Sequence, residues 1–249
     1  MDLEGQLKMY ENSVGDMNKK DGYDCTICKN KGFTFFIRGD EIVSRLCECQ
    51  KIRKTIYLLK ESGIKEHLTT KTLDTFIAKE KWQGGIKAQA EVYLRDKENK
   101  WFFIGGQSGS GKTHLCTAIC MELMKRGNSL IYMQWLDASR ALKSASNEFY
   151  FGELIKKYKD VDILYIDDFF KVRAGTEPTG ADIKIAFELL NSRLSRDKVT
   201  IISSEFTLRE LAKFDEATMS RINEKAKPYV LAINKDTSKN QRLQHTAEH

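Results

Sequence analysis

Proline is nearly absent from this chain: two residues in 249, Pro178 and Pro228. Proline-rich linkers are therefore excluded, and domain boundaries have to be read from pattern. Long apolar runs are missing too. No stretch approaches the ~20 residues that a membrane-spanning helix needs. The opening MDLEGQLKMYENSV lacks the basic-then-apolar order of a secretion signal. The expectation is a soluble cytoplasmic protein. There is no internal repeat, and neither sign of charge is in large excess. The 41 basic and 35 acidic residues leave a net +6, which permits nucleic-acid contact without demanding it. With 41% hydrophobic residues, the chain can bury a core, as one large domain or as a core with a smaller appendage.

The six cysteines are spaced for metal rather than for disulfides. Cys25-x-x-Cys28 and Cys47-x-Cys49 are separated by 18 residues. They offer four thiolates on two tight turns, as a tetrahedral structural zinc site requires. Four sulfurs leave no open position, so the expected role of Zn²⁺ is to fold a segment too small to bury its own core. The intervening KNKGFTFFIRGDEIVSR reads as a β-hairpin. Cys116 and Cys120, at helical spacing, are expected in core packing.

Along the chain, residues 1–20 form a polar extension that either makes a short amphipathic helix or stays loose. Residues 21–78 hold the zinc block and a helix with a stop at Gly63, and 79–98 read as a charged surface helix. From Trp101, short runs apolar on both faces alternate with helical patterns. Strands are expected at 101–105, 129–134, 161–166, 198–203 and 228–233. Helices are expected near 112–126, 135–146, 181–195 and 207–222. Such alternation predicts an α/β fold with a five-stranded parallel sheet between helices, spanning 79–235 and followed by a tail, 236–249.

Between the first of these strands and its helix lies Gly106-Gln-Ser-Gly-Ser-Gly111-Lys112-Thr113, which satisfies G-x-x-x-x-G-K-[ST] in the strand-to-helix context that the motif needs. Main-chain N–H groups of Gly106, Ser108, Gly109, Ser110, Gly111 and the start of the helix, as far as His114, can nest a polyphosphate. Lys112 is placed to reach the β and γ phosphates of ATP, and Thr113 to coordinate Mg²⁺. The third strand ends in Asp167-Asp168. Asp167 suits the magnesium shell, and Asp168 the orientation and deprotonation of an attacking water. In FFKVRAGTEPTGAD, residues 169–182, aromatics mix with Lys171 and Arg173 as in a surface for single-stranded DNA; packing of Phe169 and Phe170 under the sheet edge is the alternative. Lys51, Arg53 and Lys54 form a small basic cluster.

The cysteine pair, NKGF, the hairpin, CECQK, the SGI helix, the phosphate loop and LYIDDF, in that order over about residues 21–235, resemble the DnaC/DnaI-type helicase loaders of bacteria and phages. These belong with the IstB transposition helper ATPases in the AAA+ class. The resemblance implies an ATPase that assembles on ATP, grips single-stranded DNA and holds a replicative DnaB-type helicase through its zinc-binding N-terminal region. Turnover in this chain is expected to be weak and dependent on DNA or partner. The resemblance places sensor 1 in TIISSEF, and because Glu205 stands where asparagine is usual, either hydrolysis is slow or Ser204 takes over the role. It makes Arg221 of MSRI an arginine finger toward a neighbour's ATP, and Lys239 or Arg242 sensor 2. The family lacks the helical lid, in keeping with the ~16 residues after the last strand. Two other readings stay open: an IstB-like transposition helper, and a nucleotide-gated adaptor or inhibitor that scarcely hydrolyses ATP.

Overall fold

The computed structural model describes residues 2–61, 70–126, 128–145, 148–173, 176–236 and 239–240. The helix stop expected at Gly63 lies outside them. The extension does form a helix, α1 (Leu3–Asn12), followed by one turn, α2 (Asn18–Asp21). Asp2 caps α1 by accepting from the Gly5 N–H at 2.8 Å. At the other end the Lys31 ammonium donates to the carbonyls of Tyr10, at 2.6 Å, and Ser13, at 2.7 Å, a cation meeting the negative end of the helix. Tyr10 stacks on Phe35, so α1 lies on the hairpin of β1 (Phe33–Arg38) and β2 (Glu41–Leu46). The pairing runs from Phe33 opposite Leu46 to Arg38 opposite Glu41. Helix α3 (Cys49–Glu61) then carries the chain to the main body, where Ile52 joins the core.

That body holds α4 (Lys81–Arg95), β3 (Trp101–Gly106), α5 (Lys112–Lys125), β4 (Leu130–Gln134), α6 (Trp135–Lys143), α7 (Glu148–Asp160), β5 (Ile163–Asp167), α8 (Gly180–Ser195), β6 (Val199–Ser204), α9 (Leu208–Leu211), α10 (Glu216–Ala226) and β7 (Val230–Ile233). The five strands are parallel in the order β4-β5-β6-β3-β7. Side chains alternate across the sheet, which explains the continuous apolar runs. Phe102, Ile104, Tyr165 and Ile201 pack with Leu115 and Ile119 of α5. Trp101, Phe103, Ile166 and Ile202 pack on the other side with Leu189 of α8 and Ile222 of α10. Cys116 and Cys120 are core residues, as expected.

Three expectations about helices are corrected. The segment expected as a charged surface helix over 79–98 buries Ile86, Ala90, Tyr93 and Leu94 along one side of α4. Helix α7 was not expected; Ile155 and Tyr158, three apart, face inward on it. The single helix expected over 207–222 is two. Thr207 caps α9 in a reciprocal pair with Glu210, and Asp215 caps α10 by accepting from the Thr218 N–H. Two caps eight residues apart impose two starts.

One charged side chain is wholly enclosed. Arg193 on α8 is fully buried and, among the described residues, meets no carboxylate there. Its guanidinium donates to Thr200 Oγ1 at 3.0 Å and to the carbonyls of Tyr158 at 2.8 Å, Val161 at 2.9 Å and Asp162 at 3.3 Å. It thus ties the end of α7 and the entry to β5 to β6. Replacing Arg193 with leucine leaves those acceptors unsatisfied, and urea denaturation is expected to show a loss of about 3–5 kcal/mol in unfolding free energy.

Candidate functional site

The phosphate loop joins β3 to α5 at the carboxyl end of the sheet, where strand order places the first strand between the fourth and fifth. Gly106 has φ +143°, and a Cβ there would stand 2.4 Å from the Ile233 carbonyl oxygen, so only glycine lets β7 close against the loop. Gly111, with φ +86°, turns the chain into α5. Ser110 Oγ donates to the Gln107 carbonyl at 2.8 Å. Lys112 is largely buried and donates to the carbonyls of Gly106, at 2.7 Å, and Gln107, at 2.6 Å. Burial pushes its pKa down, opposed by the charges of Asp168, Glu205 and Asp167. An ammonium resting on its own loop's carbonyls is placed to exchange them for phosphate oxygens.

His114 Nε2 instead lies 2.9 Å from the Thr72 carbonyl oxygen and 3.2 Å from Thr75 Oγ1. The ring packs edge-on to Phe76, whose own ring fills the space that a Cβ at Gly111 would need. Residue 114 therefore fastens the segment that enters from the cysteine block. The 78/79 division drawn from sequence crosses continuous packing.

Asp167 is buried and surrounded by hydroxyls. Tyr165 OH donates to Oδ1 at 2.8 Å, Tyr132 OH to Oδ2 at 2.9 Å, Thr113 Oγ1 to Oδ1 at 3.2 Å, and Ser203 Oγ to Oδ1. Both tyrosine hydroxyls are held far into the protonated range, chiefly by burial and then by the Asp167 charge, so they act as donors. Ser203 is the serine whose hydroxyl reaches the acid. Ser204, assigned the sensor role from sequence, donates instead to the Phe169 carbonyl at 2.8 Å and accepts from the Phe206 N–H at 3.1 Å. Adjacent strand residues face opposite ways, and register puts Ser203 on the sheet face that carries Tyr165 and Asp167, with Ser204 on the other.

Past Asp167 the chain makes a strained turn, with φ +53° at Asp168 and +60° at Phe170. The turn folds Phe169 and Phe170 inward against Trp135, and both are fully buried. These aromatics are therefore core residues and not a stacking surface. Lys171 lies 2.8 Å from Asp168 Oδ2 and 3.0 Å from Glu205 Oε1, so the unusual acid is paired.

In the cysteine block, all four sulfurs lie within 4.8 Å of one another, with Cys25–Cys47 at 3.8 Å and Cys28–Cys49 at 3.5 Å. Tetrahedral zinc–sulfur bonds of about 2.3 Å put sulfurs about 3.8 Å apart, whereas a disulfide needs about 2.05 Å. The four residues fit zinc. Arg53, expected in a basic surface cluster, is buried beneath them. Its guanidinium donates to both oxygens of Asp21 at 2.6 Å and to Asn30 Oδ1 at 2.8 Å, and Asn30 Oδ1 also receives the Cys25 N–H at 2.8 Å. Lys51 stays at the surface and pairs with Glu48.

The sequence model of the IstB-like ATP binding protein family matches residues 26–239. The chain belongs to this family. A phage-like element PBSX protein XkdC of Bacillus subtilis is 31% identical over 223 residues, covering 85% of this chain and 82% of that protein. The replicative helicase loader DnaC of Escherichia coli is 29% identical over 142 residues, which span 55% of each chain. A solved structure of the DnaC helicase loader superimposes with a TM-score of 0.55 at 19% identity, over 69% of this chain and 99% of that one. The fold is that of an AAA+ ATPase.

Among the remaining candidates in this IstB-like protein, Arg221 sits on α10 with its guanidinium 4.8 Å from the Phe187 ring centroid, and its Nη1 is buried without a hydrogen-bond partner. It lines a small crevice with Trp101, Phe187, Leu194 and Thr218. Lys239 Nζ lies 5.9 Å from the Trp82 ring centroid and 3.3 Å from the Asn234 carbonyl oxygen. Arg242 lies outside the described residues. The sequence reading missed Tyr132 and Tyr165; Tyr165 is two residues before Asp167 on a strand, and Tyr132 is its register partner, so strand parity was the available signal.

Replacing Lys112 with alanine is expected to weaken ATP binding about a hundredfold, roughly 2.7 kcal/mol, by calorimetric titration, while metal content stays at one zinc per chain by emission spectrometry. Cys28→Ser is expected to do the converse, losing metal while keeping nucleotide.

Proposed function

We propose that this protein is an ATP-dependent loader of a replicative hexameric DNA helicase onto single-stranded DNA, acting in the cytoplasm of a bacterial cell. The observation that carries the reading is the junction of two sites: a four-cysteine block built into the same body as an AAA+ nucleotide site. The similarity to the helicase loader DnaC supports it, and the chain spans 55% of that relative's length.

In this reading Lys112 and the loop N–H groups hold the triphosphate of ATP, and Thr113 and Asp167 hold its magnesium, which neutralises phosphate charge. Tyr132, Tyr165 and Ser203 would keep Asp167 oriented were Thr113 to turn from it to the metal. Asp168 accepts a proton from water as the water oxygen bonds to the γ-phosphorus. The bond from that phosphorus to the β–γ bridging oxygen breaks, and ADP leaves with the electron pair. Lys171 offsets Glu205, so that acid is compatible with a γ-phosphate nearby. Arg221 serves a neighbouring copy of the chain, the role that its place in MSRI implies. Cys25, Cys28, Cys47 and Cys49 hold Zn²⁺, and the zinc block holds the helicase. With Phe169 and Phe170 buried, Lys171 and Arg173 remain as contacts for DNA phosphates.

A transposition helper is the second reading, favoured by the name of the matching family. Affinity capture from the native host with the full zinc-loaded chain separates the two. Recovery of a hexameric helicase, abolished by Cys28→Ser, is the expected result, and recovery of a transposase without helicase would sink the loader reading. Steady-state assays are expected to show weak ATP turnover raised by single-stranded DNA and lost in Arg221→Ala; unchanged turnover in that variant would remove the finger.

A further inference from the structure

Lys171 links the ends of two strands that the nucleotide site depends on. Its ammonium bridges Asp168, just past β5, and Glu205, just past β6. The Lys171 N–H also donates to the Asp168 carbonyl at 2.8 Å, which closes the left-handed turn at residues 168–170. That turn is held from below. The Phe169 N–H donates to the Ser203 carbonyl at 2.8 Å, the Phe169 carbonyl accepts from Ser204, and both phenyl rings are buried. The backbone around Asp168 is thus fixed, and the side chain that can change partners is the lysine. It is 36% exposed, and exposed Arg173 follows two residues on.

A carboxylate oxygen engaged by an ammonium has less of its charge to offer a water proton. Asp168 is faced by Lys171 and Lys112 as cations and by Asp167 and Glu205 as acids. Of the two cations, Lys112 sits on the loop carbonyls, so Lys171 alone contacts Asp168. The raised pKa of Lys171, where its two carboxylate partners outweigh burial, agrees with a cation held by this pair.

We propose that Lys171 is a positioning residue that brakes hydrolysis. Its ammonium occupies the Asp168 carboxylate in the absence of nucleic acid, and a phosphate of single-stranded DNA draws it off and frees the acid. Ammonium-to-phosphate and ammonium-to-carboxylate contacts share one chemistry, so the exchange replaces one charge-assisted bond with another. Glu205 is part of the device, because without it the lysine would have a single anchor. The inference rests on the hydrolysis reading above.

The test is the full zinc-loaded chain carrying Lys171→Met together with Glu205→Gln, which removes the bridge without changing net charge. The measurements are kcat and KM for ATP with and without oligodeoxythymidylate. The expected result without DNA is a kcat about two- to fivefold above the unaltered protein, the worth of a half-exposed ion pair, with KM within about twofold. Stimulation by DNA should shrink by the same factor. Lys171→Arg keeps the bridge and should keep native kcat and stimulation. Lys171→Gln alone gives a second reading should the double variant fold poorly: the same rise in kcat, with a higher KM from the added negative charge. A kcat at or below native in both bridge-breaking variants, or native DNA stimulation in either, overturns the brake while turnover above that of Lys112→Ala leaves the ATPase reading standing. No turnover above Lys112→Ala in any chain, with or without DNA, overturns that reading and the brake with it.

Discussion

A buried carboxylate governs this site. Asp167 sits at the carboxyl end of the central sheet, where an isolated charge would cost several kcal/mol, and is met by hydroxyls from four different elements: Thr113 on α5, Tyr132 on β4, Tyr165 on β5 and Ser203 on β6. Each donor arrives only if its strand or helix is in register, so the charge penalises every packing that misplaces one of them. The requirements of the fold and of the site coincide here. Thr113 is the donor that also belongs to the phosphate loop. It can leave for a metal because three hydroxyls remain.

The same economy holds for the cations. Lys112 rests on two carbonyls of the loop that it will help to fill, and Lys171 on two carboxylates. Arg53 supports the cysteine block through Asp21 and Asn30. The ammonium groups of Lys112 and Lys171 both have partners without a ligand, so the site keeps its shape before ATP arrives and binding has little ordering to do. Each lysine has a partner set that phosphate can replace.

What sequence disclosed and what it hid differ in range. The five strands were legible because a parallel sheet covered on both faces demands uninterrupted apolar runs, and the phosphate loop because all its parts lie within eight residues. Ser203 and Ser204 could not be ranked from sequence, since the choice depends on the register of β6 on β5, which decides the one that shares a sheet face with Asp167. The burial of Phe169 and Phe170 follows from two left-handed residues, Asp168 and Phe170, that composition does not announce. Arg53 looked like surface charge because its partner Asp21 is 32 residues away in sequence. The break between α9 and α10 was readable in principle, as Thr207 and Glu210 stand at capping-box spacing, and a single amphipathic pattern obscured it.

The cysteine block and the nucleotide site are joined by packing as well as by chain. Helix α3 begins at Cys49 and, three residues on, buries Ile52 in the core that also holds Phe76 and Leu115. Phe76 in turn lies against Gly111, and His114 holds Thr72 and Thr75 beside it. A close-packed interior transmits displacement instead of absorbing it. A change in the phosphate loop on filling or emptying therefore bears on Phe76 at once, and through the shared core on the helix that carries the fourth cysteine. The part proposed to hold a helicase and the part proposed to hold ATP are in this sense one mechanical unit, and a loader needs that property if the state of its nucleotide is to decide when its partner is released.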